Sequence, residues 1–342
     1  MKDVSDIVLS CRVRLARNIA GLPFPHNMTA AQMETLAAQV NGAINSNRDF
    51  LLLHMAELPA RERKLLVERH LISPDLAQCD GGAALINKDE TISIMVGEED
   101  HLRIQAMLPG MQLEQADTLA MSVDSLLSRK LTYAFDEELG YLTACPTNLG
   151  SGMRASVMLH LPALSLTGQT EGLLRNITKL GYAVRGIYGE GSKTPGHIYQ
   201  ISNQMTLGIL EEDIVSNLIT TVNGVIEHER GVRDSLLQNN RLEVEDLVFR
   251  SLGVLRYARK LDTREAMEHL SNLKLGVGVG LIPNEAQSKL NRLLTDVQAA
   301  SLEQRSGADM TEKQRDEARA NVMREAIGAI SRMNENDKRW KQ

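Results

Sequence analysis

The sequence predicts an α+β protein: a largely antiparallel sheet flanked by helices, followed by an all-helical C-terminal region. Two observations carry this. Strand-like runs in the first two thirds are joined by hairpin signals and interspersed with helices. From Glu211 onward nearly every segment has the period of an amphipathic helix.

"TAAQMETLAAQVNGAINS" opens a helix with Thr29 as N-cap and Gln32 reaching back to form a capping box. "AALINKDETISIMV" (83–96) sets two apolar runs around a polar "NKDE", a hairpin pattern. "HLRIQAML" (101–108) continues as a strand. "QLEQADTLAMSVDSLLSRK" reads as a helix and "TYAFDEELGYLTA" as strands. A helix-rich passage is expected from about Ser151. "YAVRGIYGEG" and "HIYQISNQM" then bracket the turn-rich loop "GEGSKTPG". "EEDIVSNLITTVNGVIEHERGVRDSLLQ" is a long amphipathic helix, and the rest of the chain beyond it reads helical except "LGVGVGLIPN" (275–284). The expected division is an α+β domain over 7–232 and a helical domain over 233–342.

Composition narrows the function classes. With 342 residues, 43% hydrophobic and 24% charged, the chain can bury full cores in two domains. A net charge of −6 gives no general drive toward nucleic acid or anionic membranes. Three scattered cysteines, Cys11, Cys79 and Cys145, do not make a disulfide framework or a zinc site, and fit a reducing, cytoplasmic setting. "MKDVSDIVLSCRVRLARN" lacks the apolar run of a signal peptide, and no apolar stretch approaches a transmembrane span.

Four segments could carry chemistry. In "SCRVRLAR" (10–17), Arg12 and Arg14 alternate with Val13, so on a strand both guanidinium groups leave one face. They repel unless an anion lies between them, and guanidinium forks match phosphate oxygens; a solvated edge strand is the plainer alternative. "VGEEDHLR" (96–103) crowds Glu98, Glu99, Asp100, His101 and Arg103 between two strands. Paired carboxylates can take a proton or hold a cation, though acidic turns are common. "YLTACPTNLGSGMRAS" (141–156) combines Cys145 with Gly150 and Gly152, which let backbone approach a ligand, and with Arg154, expected in the first turn of a helix. Positive charge there favours a thiolate, while a buried structural thiol explains the same spacing. "VRGIYGEGSKTPG" (184–196) carries Arg185 and Glu190 on a glycine-punctuated loop that is not a P-loop, and reads as a lid or a long hairpin connection.

These segments, in this order, resemble the catalytic domain of the ATP:guanido phosphotransferases, the family of creatine and arginine kinases. "EEDHLR", "CPTNLGSGMRAS" and "VRGIYGEG" carry the resemblance. "YLTACPTNLGSGMRASVMLHLPAL" and "YQISNQMTLG" bring the chain nearest to the bacterial protein-arginine kinase branch. Phosphagen kinases place a helical domain before the S-x-R-x-R segment. Here that segment begins at Ser10, so the resemblance implies a more open guanidino site. "RDEARA" (315–320) matches the R-D-x-x-R-A motif of the protein-arginine kinases. The resemblance implies an allosteric phosphoarginine site of Arg315, Asp316, Arg319 and Ala320, in which a phosphoryl group bridges two repelling arginines.

The resemblance also implies the reaction: transfer of the γ-phosphoryl of ATP, with Mg2+ bridging phosphates, to a guanidino nitrogen of arginine in other proteins. This would mark them for a degradation machine or inactivate a repressor. The ATP site is expected at Ser10, Cys11, Arg12, Val13, Arg14, His70, Arg103, Arg154, Ala155, Ser156, Val157, Met158, Arg185, Gly186, Ile187, Tyr188, Gly189 and Glu190, with the metal held through ATP and by no side chain. Glu99 matches the catalytic base, Glu190 the carboxylate on the other guanidinium edge, and Cys145 the thiol that contacts the guanidino group. Implied partners are arginine-bearing proteins, an activator protein, a AAA+ protease and a second copy of the chain, with no direct nucleic-acid or membrane contact. Gly97, Met158 and Lys193–Pro195 depart from the family pattern, and Gly97 is expected to loosen its loop. The alternatives are a kinase of free arginine or another small guanidino compound, and a non-catalytic phosphoarginine-binding adaptor.

Overall fold

The computed structural model describes residues 4–45, 49–186 and 194–335, with side chains to residue 330. The strands are β1 (Val8–Arg17), β2 (Phe50–His54), β3 (Ala83–Asn87), β4 (Ile92–Val96), β5 (Leu102–Pro109), β6 (Phe135–Asp136), β7 (Gly140–Tyr141), β8 (Met153–His160), β9 (Tyr182–Gly186) and β10 (Ile198–Asn203). The helices are α1 (Ala30–Ile44), α2 (Ala60–Glu68), α3 (Pro74–Gln78), α4 (Leu113–Ser128), α5 (Pro162–Leu166), α6 (Thr170–Lys179), α7 (Glu211–Asn239), α8 (Arg241–Tyr257), α9 (Thr263–Gly278), α10 (Gln287–Asp296), α11 (Ala299–Ser306) and α12 (Glu312–Glu335).

Eight strands form one antiparallel sheet in the order β2-β3-β4-β5-β1-β8-β10-β9. The two-residue strands β6 and β7 pair separately. β1 lies between β5 and β8, so it is a central strand and not the solvated edge that its charges allowed.

Alternation sorts each strand into two faces. Val13 and Leu15 of β1, Ile104 and Ala106 of β5, and Ala155 and Val157 of β8 point into one core with α1, α4, α5 and α7. Among the described residues, the other face is covered only at its ends. Beneath β3 and β4, Met55, Leu71, Leu76, Ala84, Ile86 and Met95 form a small cluster with α3. At the opposite end Ile198, with Leu9 and Met158 alongside, packs on the core of α8 to α12. The strip left between the two clusters carries the arginines.

Local chemistry sets the helix ends. Thr29 and Gln32 form the expected capping box on α1. Glu211, Glu212 and Asp213 occupy the first turn of the 29-residue α7, where the helix dipole favours negative charge. α7 runs without interruption past residue 232, so a single helix crosses the expected domain boundary.

Two segments depart from the sequence expectation. Met153–His160 is strand β8, not a helix: it pairs mid-sheet with β1 and β10, with Met153, Ala155, Val157 and Leu159 on the core face and Arg154, Ser156, Met158 and His160 on the other. Leu275–Gly278 completes α9 rather than breaking it. Glycine is used there for close packing: a Cβ on Gly276 would lie 2.6 Å from Val248 Cγ1.

Candidate active site

The arginine strip is a product of strand parity. Arg14 stands opposite Gln105 of β5 and opposite Arg154 of β8, and Arg185 of β9 stands opposite Gln200 of β10. Arg103 lies two residues before Gln105. Arg12, Arg14, Arg103, Arg154 and Arg185 therefore share one face of the sheet.

Among the described residues this charge is only partly neutralised: Glu98 and Glu99 pair with Arg103, while Arg12 reaches only Gln105 Oε1, at 3.5 Å, and Arg154 donates to Ser202 Oγ at 3.1 Å. Arg14 Nε and Arg154 Nε are buried with no hydrogen-bond partner among the described residues. Burial, and then repulsion from Arg103 and Arg154, lowers Arg12 to about 10. Arg14 falls well below the usual guanidinium range for the same reasons, with Arg12 adding to the repulsion. Arg154 is lowered by burial and then by Arg185 and Arg103. Such a cluster suits a polyanion, whose oxygens would satisfy the orphaned N–H groups.

The same parity divides the expected ATP site between the two faces of the sheet. The side chains of Cys11, Val13, Ala155 and Val157 belong to the core on the opposite face. Ser10, Ser156 and Met158 share the arginine face, and Met158 packs against the helical core. Arg154 projects from a strand, so no helix N-terminus assists it. Ile187, Tyr188, Gly189 and Glu190 lie outside the described residues, as does the rest of that loop to residue 193.

The acidic loop is built on buried anchors. Asp100 Oδ1 accepts from Asn18 Nδ2 and from the Ala144 amide, each at 2.7 Å. His101 Nδ1 accepts from the Ile19 amide at 2.8 Å while Nε2 donates to Pro23 O at 2.7 Å, which sets its tautomer. Burial lowers the His101 pKa. Gly97 does not loosen this loop: its φ is +75°, and a Cβ there would lie 2.6 Å from Met33 Sδ. Glu98 is nearly enclosed, pairing with Arg103 at 2.6 Å and accepting from Ser73 Oγ. Glu99 differs. Its side chain is 43% exposed and meets Arg103 Nη2 at 3.3 Å, which leaves it open to a ligand.

The Cys145 loop is equally fixed. Arg17 donates to Ser151 O at 2.9 Å, and Thr206 Oγ1 donates to Thr147 O and Leu149 O at 3.0 and 2.6 Å. Cys145 Sγ lies 3.0 Å from Thr147 Oγ1. Gly150 serves protein packing rather than a ligand, since a Cβ there would lie 2.6 Å from Leu207 Cα. Gly152 meets the Ala16 carbonyl and also lines the cleft.

Two clefts meet over the arginines. One, of about 220 Å³, is lined by Arg14, Arg103, Arg154, Arg185, Glu99 and Cys145, with Thr147 and Asn148 at its side. The other, of about 380 Å³, is lined by Arg12, Arg14 and Arg103 and by Val67, His70, Ile72, Pro74, Met95 and Gln298. His70 has a left-handed backbone (φ 59°), and its carbonyl accepts from Gln105 Nε2 at 2.7 Å. Burial, and then Arg12, lowers its pKa to about 4, so the ring is neutral.

The "RDEARA" segment lies on α12. Arg315 pairs with Glu303 at 3.1 Å and donates to Met310 O. Arg319 is buried, donating to Val297 O, Leu261 O and Asp316. Ala320 is buried in the helical core. Both arginines are thus neutralised within the protein, and their repulsion alone does not call for a phosphoryl group.

Several site residues carry no local sequence signal. Asn18 and Asp100 set the spacing of the two loops, but through contacts 44 to 124 residues apart. Gln105 could have been found as Arg103 plus two on a strand. Gln298 and Glu68 come together across 230 residues, and no local pattern announces that.

Comparison with known proteins identifies the family. The ATP:guanido phosphotransferase C-terminal catalytic domain matches residues 32–232, and the protein-arginine kinase McsB C-terminal domain matches residues 241–338. The protein-arginine kinase of Brevibacillus brevis is 46% identical, aligned over 95% of this chain and 93% of its own. That of Moorella thermoacetica is 47% identical over 94% of each. Among solved structures, lombricine kinase superposes with a TM-score of 0.60 at 25% identity, covering 68% of this chain and 69% of its own. The duplicated taurocyamine kinase of Schistosoma mansoni, with bound transition-state-analogue components, gives 0.59 at 25% identity, covering 76% of this chain and 38% of its own. With both family models matched and relatives 46–47% identical over nearly the whole chain, the chain belongs to the ATP:guanido phosphotransferase family, in its protein-arginine kinase branch.

Proposed function

We propose that the protein transfers the γ-phosphoryl group of ATP to the guanidino group of arginine residues in other proteins. The observation that carries this reading is that the two clefts share Arg14 and Arg103. One continuous ligand path then runs from an apolar pocket with a neutral imidazole, across a band of guanidinium groups, to a glutamate and a thiol. ATP and a guanidinium side chain fit that order end to end.

Adenine occupies the His70 pocket and the phosphates lie on Arg12, Arg14, Arg103, Arg154 and Arg185. The transition state is loose and in line, so positioning and charge neutralisation supply most of the rate. No side chain is assigned to Mg2+, which would offset phosphate charge when bound with the nucleotide. The substrate guanidinium is a weak nucleophile because its lone pairs are delocalised. Glu99 orients it and accepts an N–H proton as the N–P bond forms and the bond from the γ-phosphorus to ADP breaks. In the ligand-free protein Arg103 holds Glu99. Phosphates that engage Arg103 would free the carboxylate for that role. Cys145 lies against the guanidinium as an electrostatic partner, and Glu190 is assigned its other edge.

The helical region 233–342 would serve dimerisation and regulation. Leu242 and Tyr257 on α8 are 74% and 67% exposed, apolar surface suited to a second copy. Arg315, Asp316, Arg319 and Ala320 are proposed as a phosphoarginine site. Cytoplasmic location, an activator protein, a AAA+ protease that receives marked proteins, and release of a repressor complete the reading.

The test is incubation with ATP and either free arginine or an unfolded protein. Acid-labile phosphate on the protein is expected. Its appearance on free arginine alone would replace this reading with a small-molecule kinase.

A further inference from the structure

Gln298 lines the apolar cleft, although it comes from the helical region outside the matched catalytic domain. It immediately precedes α11 and is 7% exposed. Its Nε2 donates to Leu294 O at 2.8 Å and approaches Met267 Sδ at 3.6 Å. With the nitrogen so engaged, the amide oxygen is the polar atom left for the cleft. A flipped amide would set two carbonyl oxygens together and forfeit a hydrogen bond.

The backbone on both sides is held. Arg319 Nε donates to Val297 O at 2.9 Å. The Glu68 carboxylate, itself in the cleft wall, accepts from the Ala300 and Ser301 amides at 2.7 and 2.8 Å. With Nε2 held by Leu294 O, Oε1 is the acceptor that Gln298 can offer to a cleft whose apolar wall is Val67, Ile72, Pro74 and Met95.

We propose that Gln298 Oε1 accepts a hydrogen bond from the 6-amino group of the nucleotide's adenine and makes the site prefer adenine to guanine. The proposal rests on the reading that ATP lies across the two clefts. Adenine presents an amino donor at C6, where guanine presents a carbonyl acceptor. An acceptor facing an acceptor in a desolvated pocket is rejected far more strongly than a missing contact is penalised.

The experiment compares ATP, GTP and purine riboside triphosphate, which lacks the 6-amino group, by direct binding to the full-length protein. The parent is expected to bind ATP about 3–10-fold tighter than purine riboside triphosphate, and roughly 100-fold or more tighter than GTP. In Gln298→Met, which keeps side-chain length without a carbonyl, ATP and purine riboside triphosphate should bind within about twofold of each other, a ligand-by-protein cycle that cancels general structural effects. Equal weakening of both ligands, with the ATP preference intact, would assign Gln298 a structural role and overturn the proposal. Should the variant not fold, the parent decides: arginine phosphorylation with equal affinity for both nucleotides overturns the inference and leaves the kinase reading standing. A parent that binds no nucleotide overturns both.

Discussion

Asp100 and Ala144 are joined by a 2.7 Å hydrogen bond from the Ala144 amide to Asp100 Oδ1. Each directly neighbours a residue of the proposed chemistry, Glu99 on one loop and Cys145 on the other. The spacing between base and thiol is thus set one residue back from both, by a buried carboxylate that Asn18 also holds.

Asp100→Ala should break that setting. Two donors would lose their acceptor, at a cost of about 1–3 kcal/mol. Arginine phosphorylation should fall about 10–100-fold, as misplacement of reacting groups does, while ATP affinity changes little. Asp100→Asn retains one acceptor oxygen and should be milder. Denaturant melts and steady-state kinetics on both variants check this.

Arg14 sets function against stability. Its buried Nε has no partner among the described residues, and its charge is crowded by Arg12, Arg103 and Arg154. Arg14→Met should raise the stability of the ligand-free protein by about 0.5–2 kcal/mol. ATP affinity should fall by roughly tenfold or more. Thermal melts with and without ATP read both effects, and a destabilised, still-binding variant would refute the assignment.

His70 predicts a pH dependence of folding. Its pKa falls from 6.5 in the unfolded chain to about 4 in the fold. Between these values the unfolded state binds more protons, so the contribution to stability is lost as pH drops from about 6.5 to about 4. His70→Asn tolerates the left-handed backbone and cannot titrate there. Relative to the parent, it should gain stability as the pH is lowered across that window in denaturant titrations.

Glu68 tests the link between the regions. It caps α11 from α2, accepting from the Ala300 and Ser301 amides. Glu68→Ala should cost about 1–2 kcal/mol, as loss of a helix cap does. Because Gln298 precedes the capped turn, ATP should also bind a few-fold more weakly. Isothermal titration with the folded variant measures this.

The sequence carried the fold class and the alternation of Arg12 with Arg14, because strand parity is a local property. It carried the acidic loop as a cluster, but not the division of labour within it. Glu98, Asp100 and His101 are anchors held by Ser73, Asn18, Ala144, Ile19 and Pro23, distant residues that no spacing connects. Met153–His160 reads as helix although Met153, Ala155, Val157 and Leu159 alternate with Arg154, Ser156, Met158 and His160; its place as a central strand comes from pairing with β1 and β10, which no local spacing shows. Leu275–Gly278 reads as a break because glycine disfavours helices in isolation, whereas here its smallness lets α8 and α9 approach.

The most direct test of the kinase chemistry is single-turnover transfer from labelled ATP to an unfolded, arginine-bearing protein, by the parent and by Glu99→Gln, read by mass spectrometry that preserves P–N bonds. The parent should place acid-labile phosphate on arginine side chains. Glu99→Gln should lose about 10²–10⁴-fold in rate, the range for removal of a general base, with ATP affinity within about twofold of the parent, since Glu99 lines only the guanidino-side cleft. Full transfer by Glu99→Gln, or acid-stable phosphate on hydroxyl side chains, would contradict it.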